Sequence, residues 1–419
     1  MLDATELARW LVLVVFVLTW LGISARRVEL LPIGRPAIAL VGAVALVVIG
    51  QFAGPHGLGV DEALRAIEPQ TLALLFGMMV VAAALAEAGF FAVVTERLAD
   101  AVRRPAVLLW AVTVGAGLLS AVLVNDAVCL LATPLVVALV RRRGLPVRPF
   151  LFALAMGANA GSALTLSGNP QNMLVAKLSG LAYRDYLASA ALPALGALVA
   201  TAGILHMVFR ADLVAAADAA SSPPVPSDRL LLRGALLALA ALVVANLLGA
   251  TLALSALAAA AWVLLLARRR AESLLAQVDW SVLLFFASLF VVVAALQRTG
   301  LPSAWLEALT PAADSAGRGP GFGTLIAVLL LGSQAVSNVP LILLLEPWIR
   351  SFADAPLAWT LTALVSTLAG NLTLLGSVAN IIVIERAKER LGFFEYLRVG
   401  VVVTTASTAV AVGLLLLLR

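Results

Sequence analysis

The sequence predicts an all-α polytopic membrane protein, with about ten transmembrane helices and two re-entrant hairpins in an inverted repeat. Three observations lead to this fold class. Of the 419 residues, 63% are hydrophobic and only 12% are charged, far fewer charged residues than a soluble domain carries. Apolar runs of bilayer length recur along the chain. Finally, two blocks of polar residues occur once in each half of the sequence.

The apolar runs locate the helices in order along the chain. They occupy residues 10–24, 37–53, 70–88, 189–209, 230–249, 251–267, 280–296 and 399–418. A helix needs about 20 residues to cross a hydrocarbon core of roughly 30 Å, so the shorter runs require neighbouring helices. Because the runs are continuously apolar and do not alternate, helices are favoured over a barrel. The first run lacks a basic flank and a cleavage site, and we interpret it as a retained helix.

The basic residues predict topology. With the loop of Arg26, Arg27 and Arg35 on the cytoplasmic side, 20 of the 28 basic residues lie on that side, as the positive-inside rule requires. The net charge of +5 is therefore explained without a nucleic-acid partner. Both termini are predicted outside, in a multi-pass protein of the cell inner (cytoplasmic) membrane. The single Cys129 excludes an internal disulfide, and without a His or Cys cluster no metal cofactor is expected.

Polar residues recur at equal spacing in the two halves. In both halves an Asn follows a Ser by five residues and a Pro follows the Asn by nine. The first set is Ser120, Asn125 and Pro134, and the second is Ser333, Asn338 and Pro347. Further on, LTLSGNPQN (164–172) matches LTLLGSVAN (372–380). In the predicted topology the first block starts inside and the second starts outside, so the repeats are inverted. Whether the arms of each hairpin are re-entrant or fully spanning stays open.

This repeat divides the chain. We expect N-terminal helices over 1–105, a first repeat of hairpin plus broken helix over 106–209, a linker over 210–229, further helices over 230–297, and a second repeat with the last helix over 298–419. The linker is assigned because its Ala, Ser and Pro residues interrupt the hydrophobic pattern.

The segments around Gly168 and Gly376 are predicted to break helices at mid-membrane depth, since Gly frees φ and Pro170 disfavours helix before it. Such breaks persist where they are buried in protein or line a wet cavity. There, helix N-termini attract an anion. The ion- or substrate-binding candidates are Asn125, Asp126, Ser162, Thr165, Gly168, Asn169, Pro170, Asn172, Ser337, Asn338, Asn371, Thr373, Gly376, Ser377 and Asn380.

The hairpin tips carry the candidate cation sites. Asp126 is an ionisable residue deep in the membrane, which is costly and suggests a function; the alternative is a structural cap at the hairpin tip. The second tip has no acid. A coupling Na⁺ would bind oxygens of Asn125, Asp126, Ser337 and Asn338, and a proton is the alternative at Asp126.

At these residues the sequence resembles the ion transporter superfamily. That group includes divalent anion/sodium symporters, citrate transporters, the ArsB arsenite pump and NhaD antiporters. The tips resemble the Ser-Asn-Thr tips of the symporters, and GNPQN with SNVP looks closest to YbiR-like permeases. The resemblance implies an elevator-type carrier, a homodimer in which the two repeats slide against a scaffold of the other helices. Asp126 and Val339 replace the symporters' Thr, which favours proton coupling or efflux.

We therefore expect a secondary active carrier of a small anion, coupled to a proton or to sodium. A Na⁺/H⁺ antiporter and an arsenite efflux permease are the alternatives, and a channel is a weaker one. A membrane enzyme is not expected, because HExxH and GxSxG motifs are absent. The missing arginine clamp disfavours large polycarboxylates. The identity of the anion and the direction of transport stay open.

Overall fold

The structure is a computed structural model that describes residues 4–24, 34–52, 57–213, 227–302, 304 and 321–419. Most of the predicted linker (210–229) and the loop with Arg26 and Arg27 lie outside the described residues. Within the described ranges every regular element is helical. The α-helices are α1 (Ala4–Ser24), α2 (Arg35–Gly50), α3 (Val60–Ala66), α4 (Pro69–Glu87), α5 (Phe90–Ala101), α6 (Pro105–Val122), α7 (Asn125–Arg142), α8 (Val147–Ser162), α9 (Pro170–Ser179), α10 (Tyr183–Val208), α11 (Arg229–Leu247), α12 (Leu252–Ala267), α13 (Ala271–Ala276), α14 (Trp280–Arg298), α15 (Phe322–Val336), α16 (Asn338–Arg350), α17 (Ala355–Ala369), α18 (Val378–Ala387) and α19 (Phe393–Leu417).

Seven of the described helices are long and apolar enough to cross a membrane. They are α4, α6, α10, α11, α14, α19 and the segment Leu252–Ala276. Shorter apolar helices occupy Arg9–Ile23, Arg35–Gly50, Phe322–Val336 and Ala355–Ala369. The predicted all-α polytopic membrane fold is thereby confirmed.

The chain forms two compact units that interleave along the sequence. One comprises 1–72, 279–325 and 339–355, and the other comprises 73–278, 326–338 and 356–419. The five-part division predicted above follows the order of the repeats, and it remains a prediction.

In the first unit, α2 packs against α1 and α14, and α3 packs against α14. Arg298 forms an ion pair of 2.6 Å with Glu62. The Gly59 N–H that bonds the Glu62 carboxylate, together with Arg298, holds the pKa of Glu62 below its usual range. These polar contacts join α3 to the end of α14.

In the second unit, α6 and α8 approach through glycines. A Cβ added at Gly161 would lie 2.1 Å from the Gly117 Cα, and one at Gly157 would lie 2.4 Å from the Thr113 carbonyl oxygen. Small residues four apart allow two membrane helices to meet backbone to backbone. The contact places the C-terminal end of α8 beside the C-terminal half of α6, and thus beside the first hairpin tip.

The buried Arg143 anchors the end of α7. Its guanidinium donates to the carbonyl oxygens of Ala99 and Val102 at the C-terminal end of α5. Helix C-termini have unpaired carbonyls and a partial negative charge, which a guanidinium satisfies. The hairpin α6–α7 is thus held at its base by α5 and along its length by α8.

Candidate functional site

The first break separates α8 from α9. Asn169 is extended (φ −157°, ψ 162°) and caps α9, because its Oδ1 accepts from the Asn172 N–H at 2.8 Å. Pro170 takes the first helical position, where a missing N–H has no cost. A Cβ at Gly168 would lie 2.3 Å from the Ser162 carbonyl oxygen, so only glycine fits this turn.

The second break separates α17 from α18 in the same way. Ser377 is extended (φ −143°, ψ 142°) and precedes the first residue of α18, but its side chain does not cap the helix. Its hydroxyl instead donates to Asn159 Oδ1 at 3.0 Å. A Cβ at Gly376 would lie 2.9 Å from Gln334 Oε1.

Equivalent asparagines close both breaks. Asn172 Nδ2 donates to the carbonyl oxygens seven and ten residues earlier, those of Thr165 (2.9 Å) and Ser162 (3.4 Å). Asn380 Nδ2 donates at the same two spacings, to Thr373 (3.1 Å) and Gly370 (2.8 Å). A broken helix leaves carbonyls that hydrocarbon cannot satisfy. The two amides satisfy them identically, as the sequence repeat indicates.

Each break is also bonded by a helix of the other repeat. Asn172 Oδ1 accepts from Thr367 Oγ1 on α17 at 3.1 Å. Asn380 Oδ1 accepts from Asn159 Nδ2 on α8 at 3.0 Å. Thr367 and Asn159 each lie 13 residues before the asparagine of their own repeat. These two bonds are therefore equivalent, and they join the repeats through buried side chains.

Further bonds of this network involve the remaining break residues. Asn169 Nδ2 donates to Ser162 Oγ (2.8 Å) and Thr367 Oγ1 (3.1 Å). Asn371 Oδ1 accepts from Asn159 Nδ2 at 2.9 Å, and Asn371 Nδ2 donates to the Met156 carbonyl oxygen.

Two threonines tie the breaks to the first arms of the hairpins. The Thr165 hydroxyl donates to the Ala121 carbonyl oxygen on α6. The equivalent Thr373 hydroxyl donates to Gln334 Oε1 on α15 at 2.8 Å, and Gln334 Nε2 donates to the Ala369 carbonyl oxygen at 2.9 Å. Each break is therefore attached to the hairpin of its own repeat.

The first hairpin tip joins the network directly. The Asn125 N–H donates to the Gly168 carbonyl oxygen at 3.0 Å, and Asn125 Nδ2 donates to Asn159 Oδ1 at 3.0 Å. Asp126 is 7% exposed and lies in the first turn of α7, where the helix dipole stabilises a negative charge.

The second tip is arranged differently. Ser337 adopts a positive φ of 63°, a costly conformation for a residue with a side chain. Asn338 begins α16 and is 6% exposed. The side chains of Ser337 and Asn338 make no hydrogen bond within the part of the chain that the structure describes, so they lie outside the network.

Four buried oxygens at the tips lack hydrogen-bond partners among the described residues. They are Ser120 Oγ, Asn125 Oδ1, Ser333 Oγ and Asn338 Oδ1. Each repeat contributes one Ser and one Asn, five residues apart. Since buried polar atoms are rarely left unpaired, each of these oxygens calls for an explanation.

The network is uncharged apart from Asp126 at its edge. None of the side chains that bond across the two breaks is Lys or Arg, and within the described ranges no three His, Cys, Asp or Glu side chains form a metal-binding group. Helix N-termini and neutral dipoles are thus what the two breaks offer to a solute.

The prediction from sequence missed Asn159, Thr367 and Gln334. All three lie inside apolar helices, away from any break signal. Extending the alignment of 164–172 with 372–380 upstream would have placed Asn159 opposite Thr367, two polar residues at equivalent positions. That correspondence was the signal available.

The all-helical membrane fold and the paired broken helices define a membrane transporter. Residues 13–369 match the family model described as citrate transporter, CitMHS, and the chain belongs to this family. It is 32% identical to the silicon efflux transporter LSI3 of Oryza sativa subsp. japonica, with 96% of each chain covered.

Other relatives agree at the level of family and fold. The putative transporter arsB of Dictyostelium discoideum is 23% identical to this chain, and the alignment covers 97% of this chain and 92% of the relative. A similar solved structure is that of the Alcanivorax borkumensis YdaH transporter, which is described as having an unusual topology. Its TM-score is 0.53 at 14% identity, and the superposition covers 97% of this chain and 98% of the YdaH chain. The resemblance to this superfamily is thus confirmed.

Proposed function

We propose that this transporter is a secondary active carrier of a small anion, coupled to a proton or to Na⁺ and located in the cell inner membrane. The supporting observation is the hydrogen-bond network that joins two equivalent broken helices, one from each repeat. The start of a helix after such a break carries a partial positive charge that attracts oxyanions. At α9, Pro170 has no N–H and Asn169 caps the Asn172 N–H. The Gln171 N–H would therefore be the first-turn donor there.

The solute would bind at the starts of α9 and α18. Asn169 and Ser377 occupy the equivalent positions immediately before these helices. Among the described residues no cationic side chain bonds to either position, so N–H groups, hydroxyls and amides would share the charge of the anion. A co-transported cation would supply the remaining neutralisation.

The unpaired oxygens support cation sites at the tips. Hydroxyl and amide oxygens are hard ligands of the kind that small cations prefer. Asn125 Oδ1 and Ser120 Oγ would serve at the first tip, beside Asp126, and Asn338 Oδ1 and Ser333 Oγ at the second. With Asp126, the first tip has the means to bind either Na⁺ or a proton.

A movement is required for transport. The break amides are buried and bonded to one another, so a solute reaches the helix N-termini only when part of this network opens. We propose that the repeats move as in an elevator-type carrier, in a homodimer, as the family resemblance implies.

A second candidate is efflux of a small neutral acid such as arsenite or silicic acid. The relatives named for silicon efflux and arsB and the lack of Lys or Arg in the network favour it. Such solutes carry several hydroxyls and no charge at neutral pH, so amides and hydroxyls satisfy them fully.

The test is transport into proteoliposomes of purified full-length protein. Labelled citrate, succinate, sulfate, arsenite and silicic acid would be supplied under an imposed Na⁺ gradient, an imposed proton gradient, or neither. We expect saturable uptake of one small oxyanion that a cation gradient drives above equilibrium.

The other outcomes separate the alternatives. Transport of arsenite or silicic acid alone would replace the anion carrier with the efflux function. Sodium–proton exchange with no movement of any solute would establish an antiporter and refute both. Flux that never saturates and follows only the solute's own gradient would indicate a channel.

A further inference from the structure

Asn159 makes four side-chain hydrogen bonds, all of them to other side chains of the network. It lies on α8 and is 2% exposed. Its Oδ1 accepts from Asn125 Nδ2 and from the Ser377 hydroxyl, both at 3.0 Å, and its Nδ2 donates to Asn371 and Asn380. An asparagine amide has two donors and two acceptor lone pairs, so Asn159 is saturated. It joins the first hairpin tip to the second break.

The orientation of the Asn159 amide is determined by backbone groups. Asn380 Nδ2 faces two carbonyl oxygens and Asn371 Nδ2 faces one. A carbonyl oxygen only accepts, so neither amide can be reversed without losing these bonds. Both amides therefore direct their oxygens towards Asn159, which must present its nitrogen to them.

The orientation of the Asn125 amide follows. Because the Asn159 nitrogen is used for Asn371 and Asn380, its oxygen faces Asn125. Asn125 must then donate through Nδ2, and its own Oδ1 is turned away. That oxygen is buried and has no hydrogen-bond partner among the described residues. A flip of Asn125 would give this oxygen no donor either, because it would then face Asn159 Oδ1, and two amide oxygens cannot bond to each other.

We propose that Asn159 is a positioning residue for the coupling cation. It holds the Asn125 amide so that the oxygen, and not the NH₂ group, faces the ion. Through Asn371, Ser377 and Asn380 it links this orientation to the start of α18, where the solute would bind. The proposal rests on the proposed function, and it identifies the contact through which ion binding at the first tip affects the second break.

The equivalent position provides a matched control. Thr367 bonds to Asn169, Gln171 and Asn172 of the first break. It makes no bond to Asn338, whose oxygen is unpaired among the described residues. Replacing Thr367 removes cross-repeat bonds of the same kind without changing the orientation of a tip amide.

The experiment measures cation-dependent thermal stabilisation of the purified full-length protein. Na⁺ is titrated at fixed pH, and pH is varied without Na⁺, for the wild type, Asn159→Leu and Thr367→Val. Leu has the same number and branching of side-chain heavy atoms as Asn but forms no hydrogen bond. A bound ligand raises stability according to its occupancy, so the half-stabilising cation concentration reports affinity. We expect it to rise at least tenfold for Asn159→Leu and less than twofold for Thr367→Val.

A second substitution distinguishes positioning from support. Asn125→Asp presents an oxygen in either orientation, so it should restore cation affinity in the Asn159→Leu background. In the wild-type background the same substitution places a carboxylate oxygen against Asn159 Oδ1. Because two acceptors then face each other, the free energy of unfolding should fall. Because a carboxylate also attracts a cation by its charge, the two backgrounds are compared: positioning predicts a larger gain in cation affinity in Asn159→Leu than in the wild type, and a structural role predicts equal gains.

The outcomes are separable. If neither Na⁺ nor protons stabilise the wild type, the cation coupling in the proposed function is refuted, and this inference with it. If the wild type responds and Asn159→Leu responds equally, only the inference is overturned. Should Asn159→Leu fail to fold, Asn159→Ser, which is too short to reach all four partners, is tested with the same expectations.

Discussion

Asn380→Ala tests whether the break amides support the backbone. Asn380 Nδ2 donates to the carbonyl oxygens of Gly370 and Thr373 at 2.8 and 3.1 Å, and Asn380 is fully buried. The substitution leaves both carbonyls unpaired and removes one acceptor from Asn159. Each buried group left unpaired costs about 1–3 kcal/mol. We therefore expect a loss of about 2–5 kcal/mol in the free energy of unfolding.

The measurement is reversible unfolding in mixed micelles, followed by tryptophan fluorescence. Gln171→Ala is the control, because Gln171 is a buried amide of the other break whose bond to Thr367 is long, at 3.5 Å. It should cost less than about 1 kcal/mol. Asn380→Asp should also destabilise the protein, since even a protonated carboxyl has a single O–H and satisfies only one of the two carbonyls.

Two results would be inconsistent with a supporting role of the Asn380 amide. Wild-type stability in Asn380→Asp would show that the carbonyls of the second break do not depend on a donor at this position. Equal losses in Asn380→Ala and Gln171→Ala would show that any buried amide near a break has the same effect.

Three further predictions concern packing, capping and coupling. Gly161→Ala should lower the free energy of unfolding by about 1–3 kcal/mol or more through overpacking, because its Cβ would lie 2.1 Å from the Gly117 Cα. Gly115→Ala is the control in the same unfolding assay and should be tolerated, since a Cβ there meets nothing within 4 Å. Asp228 caps α11 and forms an ion pair with Arg270. The backbone N–H of Leu231 and the Arg270 guanidinium lower the pKa of Asp228. At neutral pH, Asp228→Ala should lower the free energy of unfolding by about 1 kcal/mol. Because the folded pKa is depressed, this difference should disappear in unfolding measurements as pH falls from about 4 through that lower pKa. Asp126→Asn should abolish cation-driven accumulation in proteoliposomes while saturable exchange persists, and unchanged coupling would exclude Asp126.

The sequence predicted the apolar helices well, because bilayer length and apolarity are properties of single segments. The run 230–249 corresponds to Arg229–Leu247, and 280–296 to Trp280–Arg298. The first break was predictable from Gly168 and Pro170, whose backbone preferences are local. The second break has no proline, so its local signal was Gly376 alone, and the repeat supplied the rest of the prediction.

The cross-repeat bonds could not be predicted in the same way. Asn159 bonds to residues 212 and 221 positions further along the chain, and no periodicity reports a contact at such separation. A lone Asn in an apolar helix reads equally well as a packing residue. The interleaving of the two compact units is likewise a property of long-range contacts, whereas the sequence division followed the order of segments.

In the proposed carrier, the two broken helices form one shared solute site. The most direct test is equilibrium binding of the transported solute to wild-type protein, Asn169→Ala and Ser377→Ala, with stoichiometry measured by calorimetry. We expect one solute per chain, with affinity weakened at least tenfold by either substitution, since each lies at the start of one of the two helices. Two solutes per chain, or full affinity in either variant, would contradict it.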